Sequence, residues 1–126
     1  MLSRHQARIK IIRNLFSWQF FKNFNNLPYI KEKKTKKIIE KTDKIDLLIK
    51  KYAPRYPLEK ISKVDLAILR WAVYELIFHK KLPYKVVIDE AVELAKELSS
   101  QNAYSFVNGV LGSLIKDYHY ESQKKS

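Results

Sequence analysis

Apolar residues crowd most densely between positions 64 and 78, VDLAILRWAVYELIF, where a helical projection has no wet side. At 3.6 residues per turn, Val64, Trp71 and Phe78 point one way, Leu69 and Leu76 another, and Val73 and Ile77 a third. Asp65, Arg70 and Glu75 are the only charges on it. A helix of this kind is surrounded by other helices, so this stretch is expected at the centre of the fold. Ser62 caps its start, with Asp65 three residues on in a capping-box-like arrangement. Two lysines and Leu82-Pro83 stop it, because proline lacks the N–H and clashes with the preceding turn. A second helix starts there, since proline is tolerated in a first turn. Its stripe is Tyr84, Ile88, Ala91, Ala95 and Leu98, with small alanines that admit a close neighbour.

The flanking segments follow the same period. Ser3 and Gln6 form a capping-box pair for a first helix. Ala7, Ile11, Leu15 and Trp18 make one stripe of it, and Ile9, Ile12, Phe16 and Phe20 another. Two stripes suit a helix held between neighbours better than one lying on lipid, which needs a single apolar face. NFNNLP at 23–28 reads as a loop. Ile38, Ile45, Ile49 and Tyr52, with Leu48 beside them, then give a helical pattern, as one long helix or as two broken near Thr42-Asp43. Pro54 and Pro57 end it and leave Arg55 and Tyr56 on a stiff exposed loop. After the polar loop at 99–102, Val107, Leu111, Leu114 and Tyr118 keep helical spacing across Asn108-Gly109, which excludes a hairpin turn there. Gly109 is expected where helix backbones approach closely, and the tail from Glu121 is expected to fray. The reading is all-α, with at least five helices.

Charge adds an asymmetry. Residues 1–60 carry 16 Lys+Arg against 5 Asp+Glu, a net +11; residues 61–126 carry 9 against 8, a net +1. A basic half attracts polyanions, with nucleic acid the leading partner and an anionic membrane the second. Arg4 and Arg8 share a face of the first helix and could reach one run of phosphates; the alternative is a solvated helix end. Lys31, Lys33, Lys34, Lys36, Lys37 and Lys41 read first as a wet face, with non-specific phosphate attraction as the functional version. The chain has no cysteine, hence no disulfide framework, thiolate zinc site or cysteine nucleophile, which fits a reducing cytosol. No apolar run approaches the ~20 residues needed to span a bilayer. The arginine-containing N-terminus raises a transit peptide, set aside because its apolar residues read as core.

Catalytic constellations are sparse. His5, His79 and His119 show no metal-ligand spacing, and phosphate-cradling glycine loops and hydrolase motifs are missing. Asp89, Glu93 and Glu97, beside Glu90, read as dipole-complementing and outward-facing acids rather than a general acid–base pair. No catalytic residue, metal or cofactor is expected. Asp65, Arg70 and Glu75 are either an internal ion-pair network or edges exposed to partners. Phe106 is either core or a stacking platform for an unpaired base.

Three blocks, VDLAILRWAVYELIF, LPYKVVIDEAVELAKEL and SFVNGVL, closely resemble the NusB family of transcription antitermination factors in order and spacing. Ala7-Arg8 with Leu15-Phe16 is similar to the family's first helix. The strong match runs over 64–111, a fair one over 3–18, and the segment between is poor. The resemblance implies an all-α compact bundle of two small helical subdomains, the first shortened here, with residues 1–126 as a single NusB-like RNA-binding domain. It implies a cytoplasmic factor that binds boxA-type single-stranded RNA together with NusE, a small-subunit ribosomal protein. That complex promotes read-through, notably of ribosomal RNA operons, engaging other Nus factors and RNA polymerase indirectly and using no membrane. Catalysis is not part of the family's role.

Carried over by position, the family's arginine-rich N-terminus falls on Arg4, His5, Gln6 and Arg8, of which two are arginine. The resemblance places Arg4, Arg8, Arg70 and Phe106 toward RNA and Asp65 toward NusE, with Leu66 where a basic residue is common, and Asn102 is expected to recognise splayed bases together with Phe106 and Arg70. Two other readings stand beside this one. NusB-like domains assist RNA binding at the N-terminus of some ribosomal-RNA cytosine methyltransferases, for which a chain ending at 126 leaves no room. A basic membrane-surface protein is the other.

Overall fold

The centre of the fold is the helix that the apolar run anticipates. The computed structural model describes the backbone of residues 3–125 and the side chains of residues 3–118. It consists of α1 (Arg4–Phe21), α2 (Lys34–Glu40), α3 (Thr42–Tyr52), α4 (Lys63–Val73), α5 (Tyr84–Leu98) and α6 (Ala103–Lys125), with no strand among the described residues. α4 touches α1, α3, α5 and α6, and every residue from Asp65 to Leu76 is buried. Truncating a fully buried side chain such as Leu69 to alanine would cost about 2–5 kcal/mol. None of the helices is long and apolar enough to cross a membrane among the described residues.

Local chemistry sets the helix ends. Ser3 Oγ accepts from the Gln6 amide at 3.0 Å while the Gln6 side chain accepts from the Ser3 amide at 3.1 Å, completing the capping box of α1. Ser62 Oγ accepts from the Asp65 amide at 3.1 Å and starts α4. α2 and α3 are two helices, broken at Lys41. The Thr42 hydroxyl donates to the Ile39 carbonyl at 2.7 Å and so satisfies the end of α2 while α3 begins.

The central run ends at its lysines, as expected, but its last turns change winding. Residues Tyr74–His79 form a π turn, closed by the Lys80 amide donating to the Glu75 carbonyl at 2.9 Å, and Lys80 then turns left-handed at φ 57°. This widened turn has no signature in the apolar pattern.

Three expectations of detail change. The buried stripe of α5 is Val87, Ala91, Leu94 and Ala95, because Tyr84 at the start of the helix is exposed. In α1, Ile11, Ile12 and Leu15 are buried while Ala7, Phe16 and Phe20 are exposed, so the stripes hold only in mid-helix. Gly109 is not a place of close approach: a Cβ there would meet nothing within 4 Å. The α6 backbone is helical to Lys125, and the side chains of the tail expected to fray from Glu121 lie outside the described residues.

Candidate nucleic-acid interface

The first turns of α1 lie beside the last turns of α4 and the outer face of α5, and three basic residues there behave differently. Arg4 is exposed. The Arg8 guanidinium sits 5.7 Å over the Trp71 ring and 3.6 Å from Glu90, its side chain only 14% exposed. The His5 ring bridges two carboxylates, Nδ1 to Glu90 and Nε2 to Glu97, each at 2.5 Å. Those hydrogen bonds, Glu97 first and Glu90 second, raise the His5 pKa above its usual 6.5. Glu90 thus serves both His5 and Arg8 and ties α1 to α5.

Between these elements is a hollow of about 360 Å³ where Arg4, Arg8, Lys34, His79 and Lys81 converge over Ala7, Ile11 and Trp71. Its buried acid is Glu75, 1% exposed, which the π turn positions. Lys34 Nζ donates to Glu75 Oε2 at 2.6 Å, and His79 Nδ1 lies 2.6 Å from Oε1. The Trp71 indole N–H is buried without a hydrogen-bond partner among the described residues. The hollow is thus mainly cationic and suits an anionic ligand.

Arg70 is elsewhere. Its Nε and Nη2 donate to Asp46 Oδ1 and Oδ2 at 3.0 and 2.9 Å, a bidentate pair, while its guanidinium sits 5.9 Å over Trp18. The side chain is 7% exposed and Nη1 has no partner among the described residues. It lines a separate hollow with Gln19, Lys22 and Lys63. Burial first, then the neighbouring Arg70 charge, lowers the Lys22 pKa.

Phe106 is half-buried and meets Tyr56 edge to face, ring centroids 5.1 Å apart. The two rings, with Arg55 and Gly109, line a third hollow of about 290 Å³. Asn102 is exposed in the turn that leads into α6, one helical turn before Phe106. Asp65 is buried, and its Oδ1 accepts from Ser99 Oγ at 2.6 Å at the end of α5.

The residues expected to act together therefore separate by hollow: Arg4 with Arg8, Asn102 close to Phe106, Arg70 apart from both, and Asp65 inside the α4–α5 junction. All three charges of the central run have internal partners. Lys34, Lys81 and the π-turn pair Glu75–His79 belong to the arginine hollow; Lys81 and His79 were not anticipated there, and Lys34 and Glu75 were named but not as partners. The lysine run pointed at Lys34, but nothing local links it to a carboxylate 41 positions away.

Comparison with known proteins agrees with this architecture. The family model described as NusB family matches residues 5–116. The transcription antitermination protein NusB of Acetivibrio thermocellus is 43% identical over 98 residues, covering 78% of this chain and 67% of that protein. That of Pseudoalteromonas atlantica is 36% identical over 129 residues, covering 90% and 91%. The solved NusB of T. maritima superposes with a TM-score of 0.78 at 32% identity, over 91% of this chain and 92% of that one. A crystal structure of antitermination factors NusB and NusE in complex with dsRNA gives 0.75 at 25% identity, over 93% and 100%.

Proposed function

Because the chain belongs to the NusB family, we propose that it is a cytoplasmic transcription antitermination factor that binds boxA-type single-stranded RNA together with NusE. Its action promotes read-through, notably of ribosomal RNA operons, with other Nus factors and RNA polymerase engaged indirectly and no reaction catalysed. Residues 1–126 act as a single RNA-binding domain.

The observation that carries this reading is the cationic hollow at the start of α1, all of whose lining but Arg4 lies within the segment that the family model covers. Arg4 and Arg8 take phosphates, for which Arg8 exchanges its long contact to Glu90. Phosphate contacts set orientation; Asn102 and Phe106, at the other hollow, read unpaired bases. Arg70 acts from within, holding Asp46 and Trp18 beneath the Lys22–Lys63 surface. Asp65, bonded to Ser99, shapes the α4–α5 junction that we assign to NusE. RNA and NusE held together are bivalent, so each weak contact gains from the other's proximity.

The test is a gel shift with a boxA-type oligonucleotide, with and without NusE, at several salt concentrations. A shift that NusE tightens and salt weakens is expected; no shift in either state sinks the reading. Stronger binding to anionic vesicles than to RNA favours the membrane-surface alternative instead. Asp65→Asn should reduce co-purification with NusE at unchanged helicity, and unchanged co-purification removes Asp65 from that contact.

A further inference from the structure

The arginine hollow does not end at Ala7. It shares Ala7 and Glu32 with a neighbouring hollow of about 530 Å³ walled by Lys10, Tyr29 and Ile30. That one in turn shares Ile30, Lys31 and Glu32 with another of about 360 Å³ that reaches Lys33 and Lys36. Through these shared residues the three hollows adjoin along residues 27–36 as a groove, bordered by the N-terminal half of α1 at the two that include Ala7.

The far wall of this groove is built, not loose. Asn14, fully buried on α1, accepts from the Tyr29 amide at 2.8 Å and donates to the Tyr29 carbonyl at 2.9 Å. The same amide nitrogen donates to Thr35 Oγ1 at 2.9 Å, and Thr35 donates from N and Oγ1 to Glu32 at 2.7 and 2.8 Å. A single buried side chain therefore fastens the loop and the start of α2 to α1. Glu32, the one acid lining the outer two hollows, is turned onto Thr35. Lys34 is ion-paired with Glu75, whereas Lys10, Lys31, Lys33 and Lys36 have no carboxylate partner among the described residues. Lys10 Nζ lies 5.3 Å over the Tyr29 ring, and Ile30 beside it is 58% exposed. Unneutralised cations along a fixed groove with an aromatic ring are what a flexible single strand uses, phosphates on the lysines and a base against the ring.

We propose that this groove is a second RNA track, holding nucleotides that flank the boxA-type element: phosphates on Lys31, Lys33 and Lys36, a base against Tyr29. The inference rests on the functional reading above and extends it to substrate length. A short element fills the arginine hollow and the Phe106 site alone; a longer transcript gains the groove as well.

The experiment compares two RNAs with the full chain and NusE: the boxA-type element alone, and the element extended by about six nucleotides on each side. The variants are Lys31→Ala/Lys36→Ala, both positions exposed, and Tyr29→Ala, with helicity followed by circular dichroism. The unaltered chain should bind the extended RNA more tightly. The double variant should lose that gain, keep its affinity for the short RNA, and show a salt slope on the long RNA shallower by about 1.4. A 4-thiouridine in the extension should crosslink to the groove in the unaltered chain and less in Tyr29→Ala. An unaltered chain that gains nothing from the extension, or a variant that gains as much, overturns the groove and leaves the functional reading standing. Equal loss on both RNAs overturns the flanking placement, and a loss confined to NusE binding makes the groove a protein contact instead. Failure of the unaltered chain to bind either RNA ends both claims.

Discussion

α4 and the lysine-rich segment at 31–37 carry charge in opposite ways. In the apolar run 64–78, which α4 and the π turn share, each of the three charges is buried and met by a specific group: Asp65 by Ser99, Arg70 by Asp46, Glu75 by Lys34 and His79. In the segment, the cations stand in solvent along a groove, and only Lys34 is spent on an internal partner. The difference follows from desolvation. A charge taken out of water must be compensated within the fold, while one left in water stays available to a ligand. Charge count alone therefore misleads about function, because the most conspicuous charges of this chain, those on its apolar helix, are structural.

The contrast can be broken by experiment. Asp46→Ala strips the partner from Arg70 and leaves a guanidinium 7% exposed, so unfolding in urea should show a loss of about 3–5 kcal/mol. A loss below 1 kcal/mol would mean that α4 tolerates unpaired charge and that the distinction is false. Phe106→Ala tests a half-buried group between the two extremes. RNA affinity should fall by about 1–3 kcal/mol if the ring stacks on a base, with a smaller change in stability. Equal losses would return Phe106 to the core.

His5 sharpens the comparison through pH. Its pKa is raised in the folded state, so folding is favoured by its protonated form. The stabilisation is fully present below the unfolded value near 6.5 and is lost as pH rises through the raised folded value. His5→Ala should therefore destabilise the chain at pH 6 and matter less at pH 9. Because the ring is about a third exposed, the difference should stay below about 1 kcal/mol. Lys37→Ala, at an exposed position with no ion-pair partner among the described residues, should shift stability by less than about 0.5 kcal/mol.

Much of the fold was legible because its determinants are local. Apolar period identified the central helix, Ser3 and Ser62 marked two starts, and spacing across Asn108-Gly109 kept α6 whole. The π turn was not, since it moves a hydrogen bond by one residue without altering composition. The break at Lys41 was legible only as one of two readings, because it depends on a threonine hydroxyl choosing a backbone carbonyl. The site was legible only as a set of residue types. Arg8 and Arg70 were named, but what each touches is fixed by partners far along the chain: Glu90 on α5 for Arg8, and Asp46, 24 positions away, for Arg70. Pairing at such separations leaves no periodic trace in one sequence.

The empty space at Gly109 has a practical consequence. A helical glycine with nothing near its missing Cβ weakens α6 by about 1 kcal/mol relative to alanine, and it borders the hollow between Tyr56 and Phe106. A methyl there should strengthen the helix and leave the hollow passable, whereas an indole should plug it. One codon thus separates the contribution of that opening from the integrity of the bundle around it.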